Sequence, residues 1–141
     1  MISKIKSATK EPIVKYILIG GGIYLSYKLI KGFFNPPSDI DTLTSQGMKP
    51  TYTDGVYMNL ADSIESACDG IGTDEQVIYQ VMSKMKNDLD VAKLIAAYGK
   101  RRLEYTLVWG TLSYTLTDEL DQSELNQVNS ILAKNGIKYK F

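Results

Sequence analysis

Apolar residues are distributed along this chain in three regimes. Residues 12–34 form a nearly unbroken apolar run, including Ile13, Val14, Ile17, Leu18, Ile19, Ile23, Leu25, Leu29, Ile30, Phe33 and Phe34, with the triplet Gly20-Gly21-Gly22 at its middle. Residues 35–53 hold three of the four prolines, Pro36, Pro37 and Pro50, among polar neighbours. From residue 54 onward apolar positions return at intervals of three and four, the spacing of amphipathic helices.

That spacing predicts about five short helices over 54–141. Thr53 or Asp54 caps a first helix that buries Val56, Leu60, Ala61, Ile64 and Ala67, and Asp69-Gly70-Ile71-Gly72 interrupts it. Thr73 with Gln76 three residues on reads as a capping box, Asp74 and Glu75 favour the helix dipole, and Val77, Ile78, Val81, Met82 and Met85 face inward. Asn87 caps a third helix, with Asp88 and Asp90 in its first turn and Leu89, Ala92, Leu94, Ile95 and Tyr98 for burial. Gly99 and the run Lys100-Arg101-Arg102 stop it, and residues 103–109 suit a short strand or an ordered loop. Helix resumes near Thr111 with Leu112, Leu116 and Leu120. Asp121 and Glu124 offer a second capping box before Leu125, Val128, Ile131 and Leu132, Asn135-Gly136 ends that helix, and residues 137–141 read as a short extended tail. The expected class is all-α, with one core in the bundle.

The first regime reads as a single transmembrane helix. Its uncharged centre, 16–27, is only ~18 Å long at ~1.5 Å per residue, short of the ~30 Å hydrocarbon core. Residues 13–34 reach about 33 Å, and Lys15 and Lys28 sit near the ends, where long stems snorkel to the surface. Tyr16 at one end and Tyr27, Phe33 and Phe34 towards the other match interfacial aromatic belts, with Tyr24 inside the span. Gly20, Gly21, Gly22 and Ser26 offer a small-residue face for self-association with another helix. A buried core helix and a helix lying in the interface are the other placements of such a run. No small-x-small cleavage site follows, so an uncleaved anchor is expected over 1–34, with 35–53 as a stiff, extended, proline-containing linker.

Charge divides along the same line. Residues 1–34 carry six lysines against Glu11 alone, a net of +5, whereas residues 35–141 carry ten basic and fifteen acidic groups, a net of −5. The positive-inside tendency then places the N-terminus on the interior or cytoplasmic side. Lys4, Lys6 and Lys10 also suit anionic lipid headgroups or nucleic acid phosphates.

Composition narrows the chemistry. There is no histidine, which rules out Ser-His-Asp and Cys-His catalysis and histidine metal sites, and a lone Cys68 forms no internal disulfide. No phosphate-binding loop, nucleophile elbow or dinucleotide fingerprint is present. The acids Asp118, Glu119, Asp121 and Glu124 read as helix caps and a solvated face, Lys100-Arg101-Arg102 as a helix C-terminal charge cluster, and Trp109, Tyr105 and Tyr114 as core aromatics or an interaction surface. The sequence points to a protein that is not an enzyme.

Gly70-Ile71-Gly72-Thr73-Asp74-Glu75, between apolar helices, resembles the signature of the annexin repeat. The likeness spans roughly 57–132 and extends to Ala96-Ala97-Tyr98 and Leu116-Thr117-Asp118-Glu119-Leu120. It implies a calcium site built from the backbone carbonyls of Cys68, Gly70 and Gly72 and the carboxylate of Glu119, used to bind acidic lipid. The chain departs from the family in having one repeat rather than four, Asp69 where a basic residue is usual, and a longer segment before Glu119. Two glycines that end one helix, followed by a capped start to the next, give the same residues a purely structural reading.

Single annexin-like units with a short aromatic tail resemble docking modules of Bacteroidetes-type bacterial and phage proteins. The combined expectation is a membrane-anchored structural protein, most concretely a minor component of a membrane-containing phage virion that links the bilayer to a capsid or envelope protein. The alternatives are a calcium-dependent acidic-lipid-binding module and an envelope-disrupting lysis accessory.

Overall fold

The computed structural model describes residues 36–102 and 108–141, the first three by backbone alone. Their order is α1 (Pro36–Ser45), α2 (Asp54–Cys68), α3 (Glu75–Ser83), α4 (Asp88–Tyr98), β1 (Arg101–Arg102), β2 (Trp109–Gly110), α5 (Leu112–Glu119) and α6 (Gln122–Lys134). The expected all-α bundle is present: five helices follow residue 53, and α1 precedes them. α1 and α2 both pack on α4, α3 packs on α2 and α6, and the two short strands pair antiparallel, Arg101 opposite Gly110 and Arg102 opposite Trp109.

The core follows the helical period. On α2, Tyr57, Leu60, Ala61, Ile64 and Ala67 are buried, and they meet Ile78, Val81 and Met82 of α3, Leu94 and Tyr98 of α4, Leu112 and Leu116 of α5, and Val128 and Leu132 of α6. Fully burying a side chain of this size stabilises by ~1.5–3 kcal/mol, so these positions dominate the bundle's stability. Val56, expected inside, is exposed. The reason is phase: the buried set recurs from position 57, so Val56 lies about 100° off that face and Tyr57 takes its place.

Caps set the boundaries. The Asn87 side chain accepts from Asp90 N–H at 2.9 Å, and the Thr111 hydroxyl accepts from Tyr114 N–H at 3.3 Å. Asp121 and Glu124 form the expected reciprocal box, at 2.9 and 2.8 Å. At α3 the expectation needs correcting. The N-cap is Asp74, whose carboxylate accepts from Val77 N–H, because the Thr73 hydroxyl is drawn away to Glu119.

The linker expectation is also corrected. Pro36 and Pro37 do not extend the chain but open α1. In the first turn a missing N–H costs no helix bond, and proline's fixed φ already suits a helix. The compact body accordingly starts at Pro36 rather than at residue 54. Its tail, 137–141, has no regular structure but is held: Asp88 accepts from Lys138 and Tyr139 N–H at 3.0 and 2.9 Å, and the Asn129 side chain clasps both N–H and C=O of Phe141.

The anchor residues named above, Lys15, Tyr16, Gly20, Gly21, Gly22, Tyr24, Tyr27 and Lys28, lie outside the described residues, as does Tyr105. Among the described residues no helix is long and apolar enough to cross a membrane.

Candidate functional site

Two places carry unusual chemistry. The first is the loop between α2 and α3. Cys68 ends α2, Asp69 follows in extended geometry, and Asp74 N–H closes the loop on Ala67 C=O at 2.9 Å. Gly70 (φ +95°) and Gly72 (φ +83°) take backbone conformations that L-residues rarely adopt. A Cβ at either would meet nothing within 4 Å, so conformation and not crowding requires glycine there. Between them Ile71 is fully exposed.

α5 brings Glu119 to this loop. Thr73 Oγ1 donates to Glu119 Oε2 at 2.7 Å across 46 residues. Burial, and secondarily the charge of Glu119, push the Cys68 thiol up to about 12, so it stays protonated near neutral pH. Thr73 follows Gly72 directly, so its bond to Glu119 brings that carboxylate to the loop that holds Cys68, Gly70 and Gly72, the other residues named for a cation. Oxygen donors from backbone carbonyls and a carboxylate are what a hard cation takes, and positive-φ glycines let neighbouring carbonyls point the same way. The residues present thus fit calcium in kind. Among the described residues no group of three or more His, Cys, Asp or Glu side chains could hold a metal ion, so a cation here would rest mainly on backbone oxygens.

Carboxylates also crowd the neighbouring helix starts. The Tyr79 phenol is pushed up first by burial and then by the charges of Glu124, Glu75 and Asp121, and the helices that carry these residues pack on one another or adjoin.

The second place is a joint around Asp90. This carboxylate is completely buried and accepts four hydrogen bonds: from Thr51 N–H (2.8 Å), Thr51 Oγ1 (2.6 Å), Tyr57 Oη (2.5 Å) and Lys86 N–H (2.8 Å). Burial pushes its pKa up, but the Thr51 and Tyr57 hydroxyls and the two backbone donors more than compensate, leaving it below the ordinary aspartate value. Burial and the same contact raise the Tyr57 phenol. Around this centre Asn87 Nδ2 donates to Lys49 C=O at 3.0 Å and Tyr52 Oη to Lys84 C=O at 2.8 Å. The segment 48–52 is thereby bonded to the start of α4.

Sequence reasoning missed this joint. An aspartate in a helix's first turn already has an explanation in the dipole. The available signal was phase: Asp90 stands four residues before Leu94, on the face that the core occupies.

The basic run divides. Arg101 is ion-paired with Asp62 (2.7 Å) and Glu65 of α2, donates to Tyr98 C=O at 3.0 Å, and lies over the Tyr98 ring at 4.9 Å from its centroid. It therefore closes the C-terminus of α4 against α2, as the charge-cluster reading expected. Lys100 and Arg102 are exposed. Trp109 is 64 % exposed and Val108 43 %, so this tryptophan is a surface residue and not core. Of the four acids singled out, Asp121 and Glu124 cap α6, Glu119 meets Thr73, and Asp118 is exposed.

No protein-family model, no curated protein and no solved structure matches the chain. The annexin likeness rests on the residues quoted for it.

Proposed function

We propose that this chain is a non-enzymatic docking protein with a single-pass membrane anchor over 1–34 and an annexin-like helical body. Its most concrete form is a minor structural component of a membrane-containing phage virion, with the body against the protein shell. The observation that supports this reading is the Asp90 joint. The segment 48–52, between α1 and α2, is bonded to the start of α4 through a buried carboxylate, so that part of the chain is fixed within the body. The +5/−5 division of charge between residues 1–34 and 35–141 suits two surroundings, lipid and water. Flotation with liposomes tests it. The intact chain floats, and deletion of 1–34 abolishes flotation; an intact chain that stays soluble and monomeric without detergent overturns the anchor. Isolation of the native particle or membrane with a tagged chain identifies the shell partner.

A second reading, calcium-dependent recognition of acidic lipid, is favoured by the Thr73–Glu119 bond, which brings the carboxylate to the glycine loop. Backbone oxygens of Cys68, Gly70 and Gly72 with Glu119 would hold the ion, which when bound supplies a positive bridge to a lipid phosphate. Calorimetric titration of the intact chain in neutral micelles with calcium tests it. Binding that Glu119→Gln abolishes supports the site, and no heat of binding, or binding unchanged in the variant, removes it.

A further inference from the structure

Asn135-Gly136 stops α6, and Asn135 is the only asparagine of the chain that glycine follows. An asparagine in that setting carries chemistry of its own. Glycine has no side chain to block the approach, so its backbone nitrogen can attack the asparagine Cγ, close a five-membered succinimide and expel ammonia. Water then opens the ring at either carbonyl, giving aspartate or isoaspartate. Water is the only co-reactant, and nothing is oxidised or reduced.

The fold keeps the two reacting groups apart. Asn135 Nδ2 donates to Met85 C=O at 2.8 Å and to Ser83 C=O at 3.2 Å, which pins the end of α6 to the end of α3 and the connector that follows it. The backbone is pinned as well: Gly136 N–H donates to Ala133 C=O at 3.0 Å and Ile137 N–H to Leu132 C=O at 3.1 Å, a helix stop that Gly136 permits at φ +74°. Asn135 stands at ψ +11°, which turns the Gly136 nitrogen away from the Asn135 side chain. Ring closure therefore requires the end of α6 to part from the connector between α3 and α4. Gly136 is exposed and Asn135 partly so, and water reaches the pair once it opens.

We propose that Asn135 is a self-modification site: parting of α6 from the α3–α4 connector frees its amide for attack by the Gly136 nitrogen, and the product prevents the contact from re-forming. A carboxylate at this position has no N–H for the Ser83 and Met85 carbonyls and sets a negative charge against both oxygens. Isoaspartate also adds a methylene to the main chain, out of register with the helix stop. The tail follows, because Ile137 is buried just beyond the pair and Asp88 holds the Lys138 and Tyr139 N–H groups from the start of α4. One opening of this end is thereby made permanent.

The full chain in neutral micelles is incubated in mildly alkaline heavy-oxygen water, folded and in urea, and mapped by peptide mass spectrometry with isoaspartate detection. In urea Asn135 converts ahead of every other asparagine and takes up oxygen from the water. In the folded chain the reaction follows the fraction of molecules open at this end and is slower by more than about tenfold. Ile137→Ala empties the buried position next to the pair, so it speeds conversion of the folded chain and leaves the rate in urea unchanged. After unfolding and refolding, converted and unconverted wild-type molecules of one sample are compared by hydrogen exchange over 136–141, where the converted ones exchange faster. Equal rates folded and in urea, no conversion in urea, no effect of Ile137→Ala on the folded rate, or equal exchange in converted and unconverted molecules overturns the proposal.

Discussion

Replacing Asp90 with asparagine keeps the shape of the side chain and removes its charge. In the native body four donors converge on the carboxylate, at 2.5–2.8 Å. An amide oxygen can still accept two of them, and the amide N–H groups then face the other two. Hydrogen bonds to a charged group contribute about 1.5–3 kcal/mol each, and an unpaired buried donor costs about 1–3 kcal/mol. The bonds from Thr51 and Lys86 are only part-buried, so the Tyr57 hydroxyl, in the fully buried bond, bears most of the loss. The expected destabilisation is about 2–4 kcal/mol, a large part of the ~5–15 kcal/mol that holds a domain of this size.

Urea unfolding of the intact chain in neutral micelles, followed by far-ultraviolet circular dichroism, measures it. Tyr57→Phe alone and combined with Asp90→Asn completes a double-mutant cycle that isolates the shared bond. The pH dependence carries the sign. Because the folded pKa lies below the ordinary value, the stabilisation is fully present above about pH 4 and is lost as pH falls through the folded value. Wild type should therefore weaken on the acid side of that point, where Asp90→Asn changes less. A variant within about 0.5 kcal/mol of wild type, or an identical acid limb, would refute the joint.

Further outcomes follow from single contacts. Gly72→Ala forces a methyl-bearing residue into φ +83° and should destabilise by ~1–2 kcal/mol, whereas Gly55→Ala, within α2 and with open space at its Cβ, should stabilise by ~0.5–1 kcal/mol. Thermal unfolding of the pair separates conformation from crowding, and equal shifts would contradict it. Tyr98→Phe removes a buried bond to the Thr115 hydroxyl at 3.0 Å and should cost about 1 kcal/mol in urea, with no change counting against that bond. Asn129→Ala releases both backbone groups of Phe141, so carboxypeptidase should remove the last residue faster than from wild type. Equal digestion rates would show that the tail is held by Tyr139 and Phe141 packing instead.

Periodicity made the bundle legible, because a helix that must bury one stripe writes that stripe at intervals of three and four. Leu60, Ile64, Leu94, Leu116 and Leu132 were all recoverable in this way, as were the Asn87 cap and the Asp121–Glu124 box, whose partners lie within three residues. Features set by distant partners were not. Thr73 looked like a cap until Glu119, 46 residues on, took its hydroxyl, and Asp90 looked like a dipole charge until Thr51 and Tyr57 closed over it. Pro36-Pro37 failed differently, since proline suits both an extended spacer and the first turn of a helix, and only packing on α4 decides between them. Of the candidate loop, the glycines and their helix-breaking role were readable, while the arrival of Glu119 was suggested only by resemblance.

The first turn of α4 binds two distant segments of the body: Thr51 through Asp90 and, two residues earlier, Lys138 and Tyr139 through Asp88. Three residues of chain span at most about 11 Å, so Phe141 cannot lie far from the segment 48–52 bonded to the same turn. Whatever is fused beyond Phe141 must therefore emerge near that segment, and a reporter placed there crowds it. The exposed turn at Ile71 is the roomier place for a label.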